Sequence, residues 1–532
     1  MMERVSGSRA ARRPCSPAMF VFLLSLFVWT ILAFGSLSGH ALAATDVLYV
    51  KQQATGDCSS WDNACDLQAA LGKADRGDRV WVSKGTYYPT SGNDRTATFQ
   101  MESGVKILGG FTPGAVHEYV RDTNNPFFTV LSGDIGTPND ASDNSYHVLT
   151  GSGADDTAVL DGFTIKGGNA NGPGRDAIVA EPPGYDTGGG MFTFGGSPAV
   201  KNSVFEYNSA QAAGGSVYNS RNQNGSFGDS PSFTNVTIRD SNSPRGGGMA
   251  NSYCAPRLTD VSFSRNTASA TPERNATGGG MVNHFSEAAL NDVTFFANKT
   301  TGQGGGLYDS GDYPFRDGAT TISNALFAFN ESGYGGGGLY AGSVSVVGAT
   351  FSSNAATDAT EGKGGAIFFN TGSPTLRNSV VWGNRATVSE KAIHTQSGTP
   401  RIGHSLVEGS GGSASWNTSL GTDDGGNLDA DPLFKSATGS LDLSLQSGSP
   451  AIDKGNNAYV PDGLEKDLAG NMRISGASSA TRVVDMGAYE SRYPGPEASL
   501  NPQTLDFGTS SRTPPITGSS SSETSASNKT SP

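Results

Sequence analysis

Gly246-Gly247-Gly248-Met249, Gly278-Gly279-Gly280-Met281, Gly304-Gly305-Gly306-Leu307: from Gly188 to about Ser410 a glycine cluster closed by a large apolar residue keeps returning. The series opens with Gly188-Gly189-Gly190-Met191 and Gly214-Gly215-Ser216-Val217. It runs on through Gly336-Gly337-Gly338-Leu339 and Gly364-Gly365-Ala366-Ile367 to a decayed Glu390-Lys391-Ala392-Ile393. Successive clusters lie 26, 32, 32, 26, 32, 28 and 26 residues apart. A period of this size implies stacked repeats, none of which can bury its own apolar face.

A second column keeps step. It reads Asn202–Phe205, Asn235–Ile238, Asp260–Phe263, Asp292–Phe295, Asn324–Phe327, Gly348–Phe351 and Asn378–Val381. Three residues later stands Asn208, Asn266, Asn298, Asn330, Asn354 or Asn384, with Ser241 in the second repeat. Short alternating runs of Val, Thr and Phe are strands, and no unit holds a competing helical pattern. Short strands joined by Gly and Asn turns at a long period predict an all-β fold, a parallel β-helix. Inward side chains then stack on their counterparts roughly 4.8 Å away, so like lies on like. Asn suits turns and can bond its neighbours above and below. The 26-residue units are minimal coils, and the 32-residue units are expected to carry a longer loop at one corner.

Gly364-Gly365-Ala366-Ile367, with Phe263-Ser-Arg-Asn266 and Phe351-Ser-Ser-Asn354, resembles the repeat of chlamydial polymorphic outer-membrane proteins. Those belong to the pectate-lyase-like β-helix class. The resemblance, with the usual hand of parallel crossovers, implies a right-handed coil.

Ahead of the repeats, Arg4, Arg9, Arg12 and Arg13 precede an apolar run, Met19–Phe34, and then Ala41-Leu-Ala43. This order reads as a secretory signal peptide over 1–43, and 16 apolar residues are short for a membrane span. No transmembrane span is expected once it is removed. The formal charge of −13 becomes about −16 without that segment, which argues against nucleic acid and anionic membranes as partners. Cys58 and Cys65 are close enough for a local disulfide after export, and Cys254 is expected to be buried and free. Residues 44–98 read as strand, helix (Cys65–Ala74) and strand, capping the open end of a solenoid over 99–415. The pair Ser59-Ser60-Trp61 and Leu67-Gln-Ala-Ala-Leu71 also resembles the opening of many exported bacterial β-helix proteins.

Past Ser410 the pattern changes. Asp431-Pro-Leu-Phe434, Ser447–Asp453, Asp467-Leu-Ala-Gly-Asn471 and Val484–Glu490 follow in an order that resembles the choice-of-anchor Q domain of bacterial surface proteins. That domain is expected over 416–493 as a small β-rich unit. In the Ser/Thr/Pro tail over 494–532, read as disordered, Leu500–Gly508 resembles the first strand of an immunoglobulin-like module; one strand cannot fold alone, so it reads either as a vestige or as the start of a truncated module.

The fold class includes polysaccharide lyases and glycoside hydrolases, so carboxylates were weighed. Asp260 and Asp292 fall in register on successive coils, roughly 4.8 Å apart, a spacing that tempts a glycosidase reading. Both stand in a column otherwise held by Asn, which favours a turn ladder. Asn219, Asn251, Asn283 and Asp309 read the same way, and Glu206, Arg239, Asp240 and Arg265 as solvated surface. The polygalacturonase and pectate-lyase motif sets are not assembled, so no catalytic, cofactor-binding or metal residue is assigned; calcium has no specific motif. The sharper feature is the residue after each anchor, which should point outward. That column is Phe192, Tyr218, Ala250, Val282, Tyr308, Tyr340, Phe368, His394. Tyr308, Tyr340, Phe368 and His394 are expected to form a stripe on which a glycan chain could stack. The expected role is non-catalytic adhesion or glycan binding outside the cell. A polysaccharide lyase or hydrolase and a structural spacer are the alternatives.

Overall fold

The computed structural model describes residues 46–123, 126–174, 184–221, 229–311, 319–389, 392–437, 442–474 and 483–491. The leader read over 1–43 and the tail read over 494–532 lie outside them. The chain winds into a right-handed parallel β-helix walled by three parallel sheets of 18, 10 and 8 strands among the described residues. We call them the broad, anchor and short sheets.

Register decides the packing. Met191, Val217, Met249, Met281, Leu307, Leu339, Ile367 and Ile393 pair in unbroken succession along the anchor sheet, and each is fully buried. On the broad sheet Phe263, Phe295, Phe327 and Phe351 stack with ring centroids 4.8, 4.8 and 4.5 Å apart. Such pairs add about 0.5–1.5 kcal/mol each beyond burial.

Between the broad and short sheets the asparagines are buried and bonded in series. The amide of Asn298 donates to Phe263 O on the coil before (2.9 Å) and Asn330 Oδ1 on the coil after (3.0 Å). Its oxygen accepts from the backbone N–H and the amide of Asn266 (3.1 and 3.0 Å). Every hydrogen-bonding position of that buried side chain is used, which is what burial of a polar group demands.

The expected helix is shorter than read, Leu67–Leu71, started by Asp66, whose carboxylate accepts from Ala69 N at 2.8 Å. Leu67 and Ala70 plug the first coil, and the Cys58–Cys65 disulfide is formed beside them. Cys254 is buried and free. In the unit from Gly246 to Gly278 the extra residues, 269–277, lie at one corner, between the short and anchor sheets.

At the far end Trp416 and Leu420 pack on the last coil. The chain then turns back along the outer face of the broad sheet. It meets one corner column, Asn324, Gly348, Asn378 and His404, on four successive coils. Arg473 donates to Asn324 Oδ1 and to Gly348 O (3.3 Å), Asn378 is bonded to Asn456, and His404 lies against Lys454 O and Asn456. Glycine at 348 matters here. A Cβ would stand 2.9 Å from the Arg473 guanidinium, and the backbone φ is +64°. Leu443 adds an apolar contact on Leu326 and Ala328.

Candidate functional site

The aromatic column points away from the interior, as strand alternation requires, but its rings lie on one another. Tyr308–Tyr340, Tyr340–Phe368 and Phe368–His394 centroids are 5.0, 4.8 and 4.6 Å apart. Tyr340 and Phe368 are only 6% and 7% exposed. At rung spacing flat rings are already in van der Waals contact, so no sugar fits between neighbouring rings of the stack. The ladder also extends further back than the sequence suggested: His147 stacks on Phe192 at 4.9 Å, and Phe192 on Tyr218 at 6.0 Å.

The column is interrupted once. Ala250 and Val282 carry no ring, and a cleft of about 330 Å³ opens there. Tyr218, itself only 2% exposed, and Tyr308 line it at either end. Ala250, Val282 and Ala213 form the floor, part of one apolar cluster with both tyrosines. One rim is the column just before the glycine clusters, in which Arg245, Thr277 and Gln303 are bridged strand to strand. The opposite rim is Ser252 and His284, consecutive in the anchor sheet. Asn275 overhangs from the 3-10 turn Glu273–Asn275, within the extra residues of one long unit.

Burial pushes the Tyr218 phenol up to about 12 and raises Tyr308 as well, so both stay neutral hydrogen-bonding groups. Burial, with the Arg245 guanidinium nearby, lowers the His284 imidazole, which is therefore neutral at pH 7. His284 Nε2 is buried without a hydrogen-bond partner, and among the described residues Arg245 has no ion pair. Among the described residues the cleft is lined by one formally charged side chain, Arg245, and by no carboxylate.

The other candidates fall elsewhere. Asp260 and Asp292 share the left-handed corner (φ +55° each) with Asn202, Asn235, Asn324 and Asn378, on the broad sheet. Asp292 accepts from the Asn324 amide, and burial raises its carboxyl. Asn219, Asn251, Asn283 and Asp309 are not a turn. They point inward from the anchor sheet as a buried ladder, with amide bonds of 2.9, 2.9 and 3.3 Å. Glu206 pairs with Arg239 and Asp240 with Arg265, side by side on the surface. Among the described residues no three His, Cys, Asp or Glu converge on a metal position. Arg245, Thr277 and Gln303 were not singled out in the sequence. The one signal for the site was the break in the aromatic column at Ala250 and Val282.

The three stacked parallel sheets make this chain a parallel β-helix protein. No protein-family model and no curated protein matches the sequence. Among solved structures it is similar to a pectate lyase, Pel9A, at 14% identity and TM-score 0.44, over 85% of this chain and 98% of that one. It is similar also to the tailspike protein gp49 of the Acinetobacter baumannii bacteriophage Fri1, a capsular polysaccharide depolymerase (12% identity, TM-score 0.38, 76% of this chain, 63% of that one). A rhamnogalacturonan lyase follows (12% identity, TM-score 0.37, 74% of this chain, 91% of that one).

Proposed function

We propose that this chain is a secreted or cell-surface carbohydrate-binding protein of adhesin type, which holds a sugar between Tyr218 and Tyr308. The observation that carries the reading is the single interruption of an otherwise closed ring ladder. It leaves a cleft between two tyrosines above an apolar floor, with amides and hydroxyls at the rims. A sugar ring has apolar C–H faces and a belt of hydroxyls, and this arrangement suits both. The remaining rings of the stripe, Tyr340, Phe368 and His394, act as a stack that braces Tyr308. Gln303 contributes a hydrogen bond to Tyr340 from the rim.

Binding is favoured over turnover because glycoside hydrolysis needs two carboxylates beside the sugar, and none of the described residues lining the cleft is one. The resemblances to a choice-of-anchor Q domain and to polymorphic outer-membrane repeats, with the leader read over 1–43, support a place outside the cell. No described helix is long and apolar enough to cross a membrane. The test is a glycan array on the full chain, followed by calorimetry on the best sugar. Val282→Tyr, which refills the gap, is expected to weaken binding at least tenfold with an unchanged melting temperature; Tyr308→Ala should weaken it as much and also lower the melting temperature, since it removes a ring stacked on Tyr340. Release of sugar or unsaturated product from a polysaccharide panel would favour an enzyme instead. Binding untouched by Val282→Tyr would remove the cleft from the account.

A further inference from the structure

We infer that Asp260 and Asp292 form an acid-closed gap in the corner ladder of the broad sheet: on taking up protons they supply the hydrogen-bond donors that the ladder lacks there, and tie their coils together. This is independent of the carbohydrate reading and concerns a different face of the rod.

The ladder has a direction, each side chain donating one coil back. Asn202 Nδ2 donates to Asp161 Oδ1 (2.8 Å), and Asn235 Nδ2 to Asn202 Oδ1 (2.8 Å). Further along, Asn324 Nδ2 donates to Asp292 Oδ1, and Arg473 to Asn324 Oδ1. Between these runs stand Asp260 and Asp292, which have nothing to donate when ionised. Thr234 pairs with Thr259 and Thr259 with Asn291, so Asn235, Asp260 and Asp292 fall in line on consecutive coils, roughly 4.8 Å apart. Their backbones share one left-handed corner, with φ of +53°, +55° and +55°. The backbone is therefore continuous and only the side-chain donors are missing. No side-chain or backbone donor of the described residues reaches Asn235 Oδ1, either oxygen of Asp260, or Asp292 Oδ2.

Elsewhere the column neutralises its carboxylate. Asp161, where the ladder opens, holds Arg121 on Oδ2 at 2.6 Å. Asp260 has no such cation. Burial, ahead of any other influence, raises the Asp292 carboxyl; the Asn324 amide and Arg473 pull it down, while Asp260 and Asp467 of the returning segment push it further up. A proton on Asp292 makes it a donor to Asp260 across one rung, and a proton on Asp260 makes it a donor to Asn235 Oδ1. The facing negative charges vanish in the same step. A carboxyl held above its unfolded value adds stability that is present in acid and lost as pH rises through the folded value, and neighbouring acids titrate as a pair. Asparagine is the permanent counterpart of the protonated acid: it has the same shape, carries its own donor, and already holds this corner at 202, 235 and 324.

The experiment compares the full chain with Asp260→Asn, Asp292→Asn and the double variant by thermal melting in EDTA, at about pH 4 and about pH 7.5, on either side of the carboxyl range. At the higher pH the double variant should melt about 2 °C or more above the unaltered chain; at the lower pH the two should nearly coincide, because the unaltered chain closes its own gap in acid. Each single variant should fall between. The acids of the returning segment shift all four proteins alike and cancel in the difference. Hydrogen exchange, corrected for its intrinsic pH dependence, locates the effect: protection over Arg257–Ser264 and Ala289–Phe296 should rise in acid in the unaltered chain and not in the double variant. A gain of equal size at both pH values, no gain at the higher pH, or a change in protection confined to other coils overturns the inference. So does a double variant that fails to fold, since asparagine fits this corner elsewhere in the column.

Discussion

Ser216 and Ser241 depart from the repeat together, and they touch. At Gly190, Gly248 and Gly280 the third glycine faces the buried asparagine: a Cβ on Gly190 would lie 2.9 Å from the Asn208 amide, and one on Gly280 would lie 3.2 Å from Asn298 Cγ. Where the asparagine shortens to Ser241, the glycine grows to Ser216, and the two hydroxyls bond at 2.8 Å. Ser216 Oγ also receives the Asn208 amide at 3.2 Å, so the polar series is not cut. Ser241→Asn alone should crowd Ser216 and destabilise the chain. Combined with Ser216→Gly it should recover, with a coupling of about 1–2 kcal/mol in a denaturant double-mutant cycle. Asn298→Ala, which strips partners from both neighbours, should cost about 3 kcal/mol by the same measurement. These columns were legible in the sequence because rung stacking forces one residue type to repeat. The rim column was not. Thr187, Ala213, Arg245, Thr277, Gln303, Gly335, Lys363 and Ser389 share no chemistry, so no pattern announced Arg245.

At the level of strands and turns, each anchor strand contributes an inward residue to the core and an outward residue to the ring ladder. The two faces obey different rules. Inward, any apolar residue of the right size is held by the coil, as Val217 among methionines shows. Outward, a ring is stabilised only by the rings beside it, so losing two in succession leaves a cleft where losing a methyl inside would leave a void. Phe295→Ala tests the inward rule. It removes a ring stacked on both sides and fully buried, and should cost about 3–5 kcal/mol in chemical denaturation. The letters Ala250 and Val282 were plain in the sequence. Their meaning was not, since it depends on rings at rung spacing closing against each other, a contact distance that periodicity alone does not supply. Asn275 was hidden for another reason: it sits in an insertion that no other coil shares.

Across the whole molecule, the returning segment is the part the sequence described least. Its motifs suggested a small β-rich unit, and its contacts with the corner column join residues from 50 to 149 apart in the chain. Arg473 is 3% exposed, bonded to Glu490 Oε1 (2.9 Å) and Gly487 O (2.9 Å) as well as to the corner column. Burial pushes the Glu490 carboxyl up to about 8, against the pull of Arg473 and with the Asp485 charge adding to the rise; burial also raises Asp485. Both acids hold their protons more tightly docked than free. Docking should therefore be strongest below the ordinary carboxylate range and weaken as pH rises toward about 8. Limited proteolysis within 430–491 should be faster at pH 8.5 than at pH 5; the reverse order would contradict this account of the two acids. Arg473→Met should loosen the segment by about 3 kcal/mol, read from the same proteolysis series.

An open solenoid tolerates gain or loss of a whole repeat, because each coil meets only its neighbours. Here that freedom stops at Asn324. The returning segment is a ruler graduated in rungs: Arg473 fits the interval from Asn324 to Gly348, and Asn456 the interval from Asn378 to His404. Copy number can drift among the coils before Asn324, cleft included, but duplicating or deleting one after it would leave every graduation one step out of line.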